Sequence, residues 1–318
     1  FFNDTATTEI DTRSLHDALP SGARAHPASV YTWPQTTLNR IASLALNGKS
    51  RLADHWQVAG TLYARSLRQR HLDGNDSEFE ECSSRSSFGG SLCLRDDGFP
   101  APSPKTTAFR DQFVILDQAG APIAFDPGAE YGTLDRTFTD TTGLGGSLRA
   151  TGDAPLLGHA NYLTFGASLD GAAIGFRSAS RLGAIQPGLA VTLSPGLAGA
   201  GSIIRTNGNL GYAPVTMAAT TRYWGLYALD AFDITGALTM TAGLRFNSAD
   251  IDTRDRSGIA PELSGNHRFS RVNPMAGLTW KLADWISAFG GYSEANRAPT
   301  PLELDCADPN LPCLLEGS

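Results

Sequence analysis

The sequence predicts an all-β fold: a partial transmembrane antiparallel β-barrel of about eight long strands, with long extracellular loops and short periplasmic turns. Three observations support this prediction. Apolar and polar residues alternate over long segments, as they do in a strand with one apolar and one polar face. Most of these segments cover about 10–16 residues, whereas strands of soluble sheets usually have 5–6. Short turns and long loops alternate along the chain, which is typical of barrels that cross an outer membrane.

The clearest strand is the second arm of a hairpin in residues 222–250. Its apolar positions alternate with polar or small ones, and they are Leu238, Met240, Ala242, Leu244 and Phe246. Arg245 falls on the opposite, polar face. The two arms meet at residues 233–236, which end in a glycine that suits a short hairpin turn.

The first arm of this hairpin has a less regular pattern. Tyr223 and Tyr227 fall on one face and the charged Arg222 and Asp230 on the other, while Trp224 interrupts the alternation. We assign the charged residues Arg222 and Asp230 to the polar face of the hairpin, together with Arg245.

Six further strands are predicted on the same grounds. They occupy residues 37–47, 56–70, 138–150, 161–176, 269–281 and 285–292. Two long loops interrupt them, an irregular one over about residues 71–135 and one rich in glycine, proline and alanine over about residues 182–212. A structureless loop of this length is uncommon in a compact soluble domain but is expected at the external end of a membrane barrel.

Composition excludes several classes of protein. The formal net charge is −7 and the isoelectric point is about 5.3, which argues against a nucleic-acid-binding surface. Hydrophobic residues make up 41% of the chain, so composition does not predict disorder. No segment approaches the roughly 18 consecutive apolar residues of a membrane-spanning helix.

The four cysteines form two local pairs, Cys82 with Cys93 and Cys306 with Cys313, each in a polar segment rich in turns. This arrangement predicts two disulfides that close loops, and therefore an oxidising compartment. A metal site is the alternative, but no histidine or further cysteine lies at zinc-binding spacing beside either pair. We expect no metal and no cofactor.

The first residues of the chain show neither the period of a strand nor that of a helix. Residues 3–20 resemble the in-frame translation of a sequencing-library adapter, so we expect residues 1–20 to be a non-native segment. Residues 21–318 are then expected to form one piece of a barrel domain.

Residues 289–304 carry the most specific motif of the chain. Its defining residues are Tyr292, Arg297, Ala298, Pro299 and Pro301. With the following Cys306-Ala307-Asp308-Pro309, this motif resembles the barrel domain of TonB-dependent outer-membrane receptors. The resemblance extends over about residues 30–318 and includes the segments 227–230, 243–247 and 273–278.

This resemblance implies a large barrel filled by an N-terminal plug, located in the outer membrane of a Gram-negative bacterium. It implies active uptake of a scarce nutrient such as a ferric siderophore. The implied partners are outer-membrane lipid, the TonB energy-transducing complex reached through the plug, and a small ligand such as a ferric chelate. Since the sequence shows no plug before residue 30 and about eight strands cannot close such a barrel, we expect a fragment with the plug and the C-terminal strands missing.

Four charged residues are candidates for contacts with a ligand in the lumen: Arg149, Arg222, Asp230 and Arg245. Cations on an inner wall would attract an anionic ferric chelate. The alternative is that Arg222, Arg245 and Asp230 pair with one another across the wall.

Neither a Gly-x-Ser-x-Gly nor a His-Glu-x-x-His motif occurs, and we expect the chain not to be an enzyme. Two other functions stay open at this point. One is a passive porin or adhesin barrel without a plug, and the other is a secreted all-β binding module.

Overall fold

The computed structural model describes residues 32–96, 99–194, 196–210, 212 and 214–305, which form an antiparallel meander. In chain order the strands are β1 (Gln35–Ala53), β2 (Trp56–Asp76), β3 (Phe79–Glu81), β4 (Leu92–Leu94), β5 (Ile115–Leu116), β6 (Tyr131–Gly152), β7 (Asn161–Ile185), β8 (Val191–Thr192), β9 (Arg205–Thr206), β10 (Val215–Thr235), β11 (Leu238–Asp255), β12 (Gly265–Ala283) and β13 (Ile286–Ser293). The main sheet has the order β1-β2-β6-β7-β10-β11-β12-β13, with β8 paired to β7. It is a barrel wall that does not close, so the predicted fold class is confirmed.

Helices are few and short in the described residues. The helix α1 (Thr107–Arg110) continues into a 3-10 helix at Asp111–Phe113, a second 3-10 helix lies at Pro261–Leu263, and α2 (Pro301–Asp305) follows the last strand. No helix in the described part of the chain has the length and apolar character needed to cross a membrane.

Connections of different length lie at opposite ends of the sheet. At one end, here called the turn end, the links between neighbouring strands are residues 54–55, 153–160, 236–237 and 284–285. At the other end, here called the loop end, they are residues 77–130, 186–214 and 256–264. The predicted alternation of short turns and long loops is thus confirmed.

The main strands are longer than predicted. β2, β6 and β7 have 21, 22 and 25 residues, because each continues past its predicted limit at the loop end. There the loops cover part of the sheet and water reaches the rest, so the contrast between apolar and polar positions is lost and the alternation no longer marks the strand.

The pairing register assigns every main-strand residue to one of two faces. One continuous row of paired residues is apolar, and it consists of Leu148, Ala167, Leu226, Phe246 and Val272. Three of these five side chains, Leu148, Leu226 and Val272, are more than half exposed, at 57%, 52% and 52%. We call this side of the sheet the outer face. The opposite, inner face is concave, since Lys49 of β1 and Tyr227 of β10 line the same cavity of about 520 Å³.

The register contradicts the predicted faces of the first hairpin arm. Tyr227 pairs with Arg245, so these two side chains share the inner face. Arg222 pairs with Asp250, and Asp230 pairs with Ala242, which places both on the outer face with Leu244. The prediction that Arg222 and Asp230 line the polar inner wall is therefore wrong, because directly paired residues of antiparallel strands point to the same side.

The two longest loops are not irregular but fold into a cap with its own apolar core. Its most buried side chains are Leu92, Val114, Ile115, Leu182 and Ile204. β5 from the first loop pairs with β9 from the second, which joins the two loops. The predicted disulfide between Cys82 and Cys93 is confirmed and lies inside this core.

The adapter-like residues 1–20 and the pair Cys306 and Cys313 lie outside the described residues. The predictions made for them stay predictions.

A second, smaller core covers the inner face at the loop end. Phe176, Val215 and Met217 of the sheet pack there with Leu263 of the second 3-10 helix, and Leu302 of α2 adds to it. Both the loop 256–264 and the segment after β13 therefore fold inward over the concave face.

Candidate functional site on the inner face

A row of cations crosses the middle of the inner face. The register places Lys49, Arg149, Tyr227, Arg245 and Asn273 at successive inner positions of one lateral row, with Ala59 and Gly166 between them. We call Lys49, Arg149 and Arg245 the cationic row. None of the three forms a salt bridge with an acidic side chain of the described residues. Their positive charge is thus available to a molecule in the concavity.

Tyr227 is held flat against the wall within this row. A Cβ atom on Gly166 would come within 2.1 Å of the Tyr227 ring, so only glycine leaves room for it. The Arg245 guanidinium lies 5.7 Å from the centre of this ring, and Arg245 Nε donates to Asn247 Oδ1 at 2.7 Å. Stacking on the ring and this hydrogen bond together orient Arg245 along the wall.

A similar arrangement occurs between β2 and β7. The Tyr63 ring lies over Gly145 of β6, where a Cβ atom would approach it to 2.5 Å, and the Tyr63 hydroxyl donates to Asp170 Oδ1. Tyr63, Gly145 and Asp170 belong to one lateral row, so glycine in the middle strand lets the tyrosine reach across it.

Replacing Gly145 by alanine is expected to destabilise the wall by about 1–3 kcal/mol, because the added methyl group displaces the Tyr63 ring from Asp170. Gly175→Ala is the matched control, since a Cβ atom at Gly175 meets nothing within 4 Å. The control should be neutral or stabilising by about 0.5–1 kcal/mol, as alanine is preferred to glycine inside a strand. Denaturant unfolding of both variants in detergent checks this, and equal midpoints would contradict it.

The predicted motif segment turns onto the inner face where β13 ends. Asn296 Oδ1 accepts hydrogen bonds from Asn273 Nδ2 at 2.7 Å and from Asn247 Nδ2 at 3.4 Å. Asn296 and Asn247 border a cavity of about 420 Å³, whose lining residues also include Asp170, Tyr223, Arg245 and Arg297. The motif thus forms one side of the candidate site.

Arg297 is anchored by Glu303 of α2. Arg297 Nη1 and Nη2 donate to the two carboxylate oxygens of Glu303 at 2.7 and 2.6 Å, and the Thr300 amide donates to Glu303 Oε2 at 2.7 Å. Such a bidentate pair fixes direction as well as distance. The hydrogen bonds from Arg297, and then the one from the Thr300 backbone, lower the pKa of Glu303 from 4.5 to about 2.

This pKa predicts a pH dependence of the motif segment. Because the folded-state pKa of Glu303 lies below its ordinary value, its stabilising effect is present above about pH 4.5 and is lost as the pH falls towards 2. Hydrogen exchange of residues 297–305, corrected for the intrinsic rate, should therefore accelerate over this range. Glu303→Gln should exchange fast throughout, and undiminished protection of the native protein at pH 2 would contradict the prediction.

The structure separates the predicted site residues. Arg149 and Arg245 lie in the cationic row, and Arg297 borders the neighbouring cavity. Tyr292 instead pairs with Ala276 on the outer face, and its hydroxyl donates to Glu294 Oε1 at 2.7 Å. Of the other motif residues, Ala298 lines the same cavity as Arg297. Pro299 is the next residue in the chain, and Pro301 is the first residue of α2.

Sequence reasoning missed three inner-face residues, Lys49, Tyr227 and Asp170. The signal that finds them is the register, which aligns residues from strands far apart in the chain. Within the described residues, no group of three or more His, Cys, Asp or Glu side chains converges in a way that could hold a metal ion.

The exposed apolar outer face, the polar concave inner face and the opposite ends of turns and loops together define the wall of a membrane-spanning β-barrel with inward-folded loops. The chain belongs to a family of such barrels, described as "TonB dependent receptor-like, beta-barrel", whose model matches residues 3–312. The family membership predicted from the motif is therefore confirmed. Proteins of this family are receptors of the outer membrane of Gram-negative bacteria.

One solved structure shows the same fold at low sequence identity, and a second is similar to a lesser degree. The ferric-catecholate import receptor Fiu from E. coli K12, in its open form, matches with a TM-score of 0.52 and 10% identity over 85% of this chain. The siderophore receptor PiuA from Acinetobacter baumannii matches with a TM-score of 0.48 and 14% identity over 81% of this chain. The match covers 37% of Fiu and 32% of PiuA, so this chain spans about a third of the length of either receptor. No curated protein matches the sequence significantly.

Proposed function

We propose that this chain is part of a TonB-dependent outer-membrane transporter that takes up an anionic metal chelate, such as a ferric siderophore. The cationic row carries this proposal. It combines three positive charges, which have no acidic partner among the described residues, with a tyrosine that stacks against one of them on the concave side of the wall. An anionic chelate with aromatic groups finds both charge and stacking there.

The family supports the remaining parts of the proposal. In the intact protein a plug would fill the lumen and connect it to the TonB complex, lipid would cover the outer face, and the protein would lie in the outer membrane of a Gram-negative bacterium. Family membership favours this function over a plug-free porin or adhesin, and the exposed apolar outer face favours it over a secreted module.

The experiment compares two arginines of one hairpin that point to opposite faces. In the full-length protein in detergent, Arg245→Ala is expected to weaken binding of a tris-catecholate iron(III) complex by about tenfold or more, since a charge-assisted contact is worth roughly 1.5–3 kcal/mol. Arg222→Ala is the matched control on the outer face and should leave the affinity unchanged.

A neutral iron(III) hydroxamate serves as the second ligand and should lose less affinity than the catecholate in Arg245→Ala. Equal catecholate affinity in the wild type and in Arg245→Ala would exclude the cationic row as the ligand-binding surface. Growth on the same iron complex as sole iron source tests transport itself.

A further inference from the structure

Two aspartates stand directly opposite each other on the inner face at the loop end. Asp73 of β2 and Asp135 of β6 are paired in the register, so their Cβ atoms are about 5 Å apart on the same side. Two residues nearer the loops, Asn75 is paired with Thr133. These side chains form a two-by-two array of oxygen-bearing groups, here called the aspartate site.

Each aspartate has one carboxylate oxygen that nothing in the structure satisfies. Asp135 Oδ2 accepts hydrogen bonds from Asn75 Nδ2 at 2.7 Å and from Thr133 Oγ1 at 3.0 Å, whereas Asp135 Oδ1 is buried without a partner. Asp73 Oδ1 is likewise buried without a partner. Asp73 Oδ2 lies 3.8 Å from His71 Nε2, which is too far for a hydrogen bond.

The β6 side of the aspartate site is shielded from water. Asp135 is 3% exposed and Thr133 is fully buried. Tyr131, the next inner residue of β6 towards the loops, is covered by the rings of Phe79 and Phe125 from the cap. The cap therefore closes over this part of the wall.

No basic side chain neutralises the two carboxylates. Among the described residues, neither aspartate forms a salt bridge with a lysine or arginine, and His71 carries charge only when it is protonated. Arg136, next to Asp135 in sequence, points to the outer face because strand residues alternate. Two facing carboxylates repel each other, and the buried Asp135 has also lost its hydration, so a cation between them would stabilise the pair.

We propose that Asp73 and Asp135 bind a hard divalent cation, with Ca²⁺ as the best match, beneath the cap. The side chains of the site offer oxygen ligands, which suit Ca²⁺, whereas zinc sites are built mainly on thiolate and imidazole. Among the described residues, no third His, Cys, Asp or Glu side chain joins the two carboxylates to complete a metal site. Backbone carbonyls and water therefore supply the remaining ligands. Bound there, the cation links β2 and β6, the two strands that carry the loop 77–130.

The binding test uses the full-length protein in detergent, stripped with EDTA and titrated with CaCl₂ by calorimetry. One equivalent is expected to bind with a Kd of about 10⁻⁴–10⁻³ M, the range of extracellular calcium-binding modules. Asp135→Asn and Asp73→Asn should each weaken binding about tenfold or more. Asp252→Asn, which removes an outer-face carboxylate at the same end of the sheet, is the control and should bind normally.

A second measurement tests the proposal even if one variant folds poorly. Hydrogen exchange of residues 71–76 and 131–137 should slow when Ca²⁺ is added to the wild type and should not respond in Asp135→Asn. In EDTA, residues 71–76 and 131–137 of Asp135→Asn should be protected at least as well as those of the wild type. The variant removes the repulsion between the two carboxylates, which the wild type keeps when no cation is bound.

Three results would overturn the proposal. The first is no Ca²⁺ binding by the wild type at about 10 mM, well above the expected Kd. The second is unchanged affinity in both aspartate variants. The third is wild-type protection of both segments that does not respond to Ca²⁺.

Discussion

Leu244→Arg is expected to destabilise the intact barrel in a bilayer by about 2–4 kcal/mol, the cost of an arginine facing lipid near the membrane midplane. Leu244 is an outer-face residue with 58% of its surface exposed. It follows Leu238, at the short turn, by six residues of β11, which places it about 15 Å from the turn end in a strand of ordinary rise and tilt. This depth is close to the middle of the hydrocarbon layer.

The control for this prediction is Thr241→Arg in the same strand. Thr241 lies on the inner face, where an arginine meets water and other polar groups, so its effect should stay within about 0.5 kcal/mol. Unfolding in urea of both variants in phospholipid vesicles measures the difference. A cost below about 1 kcal/mol for Leu244→Arg would show that lipid does not cover the outer face at this depth.

Removing the disulfide by replacing Cys82 and Cys93 with alanine is expected to destabilise the cap by about 2–5 kcal/mol. The bond closes a loop with a sequence separation of 11 residues, and both cysteines are at least 95% buried in the cap core. Its loss frees the unfolded cap and also loosens the core around Leu92, which has no exposed surface.

Limited proteolysis measures this effect, because the cap should become cleavable between β3 and β5 while the sheet stays intact. Ser83→Ala, an exposed residue beside the disulfide, is the control and should be cleaved like the wild type. Adding a reductant to the wild type should reproduce the double variant. Resistance that survives both treatments would mean that the apolar core alone holds the cap together.

The sequence was sufficient for the strands that cross the middle of the sheet. In β11 the alternation from Leu238 to Phe246 predicts both the strand and its outer face, because every second residue meets one apolar medium. The same reasoning ended β7 too early, at residue 176, whereas the strand continues to Ile185. Beyond Phe176 the inner positions stay buried, but two of them are the polar Ser178 and Ser180, so the alternation of apolar and polar residues disappears from the sequence.

The faces of β10 could not be read from its residues alone. Tyr223 and Tyr227 on the inner face are as apolar in composition as Trp224 and Leu226 on the outer face, so polarity does not separate the two sides. Only the pairing decides, since Tyr227 lies opposite Arg245. Arg222 and Asp250 are tolerated on the outer face because they lie near the loop end of the hairpin, away from its short turn.

The packing of the two long loops could not be predicted from the sequence either. The segment 77–130 has no long period in its sequence, yet Val114 and Ile115 are fully buried in the cap. Their partners Leu182 and Ile204 lie about 70 and about 90 residues further along the chain. A core assembled from two distant loops and the sheet beneath them leaves no local pattern. A disulfide between nearby cysteines does leave one, and Cys82 and Cys93 were paired correctly.

The sequence by itself therefore determined the all-β class, the order of turns and loops, the local disulfide and, through the motif around Arg297, the family. Each of these depends on residues that are close together in the chain. Only the tertiary structure decided which side chains share a face and which carboxylates meet: the cationic row, the Tyr63–Asp170 contact and the aspartate site all join residues of different strands. Their alignment follows from the register, and the register is set by the whole sheet.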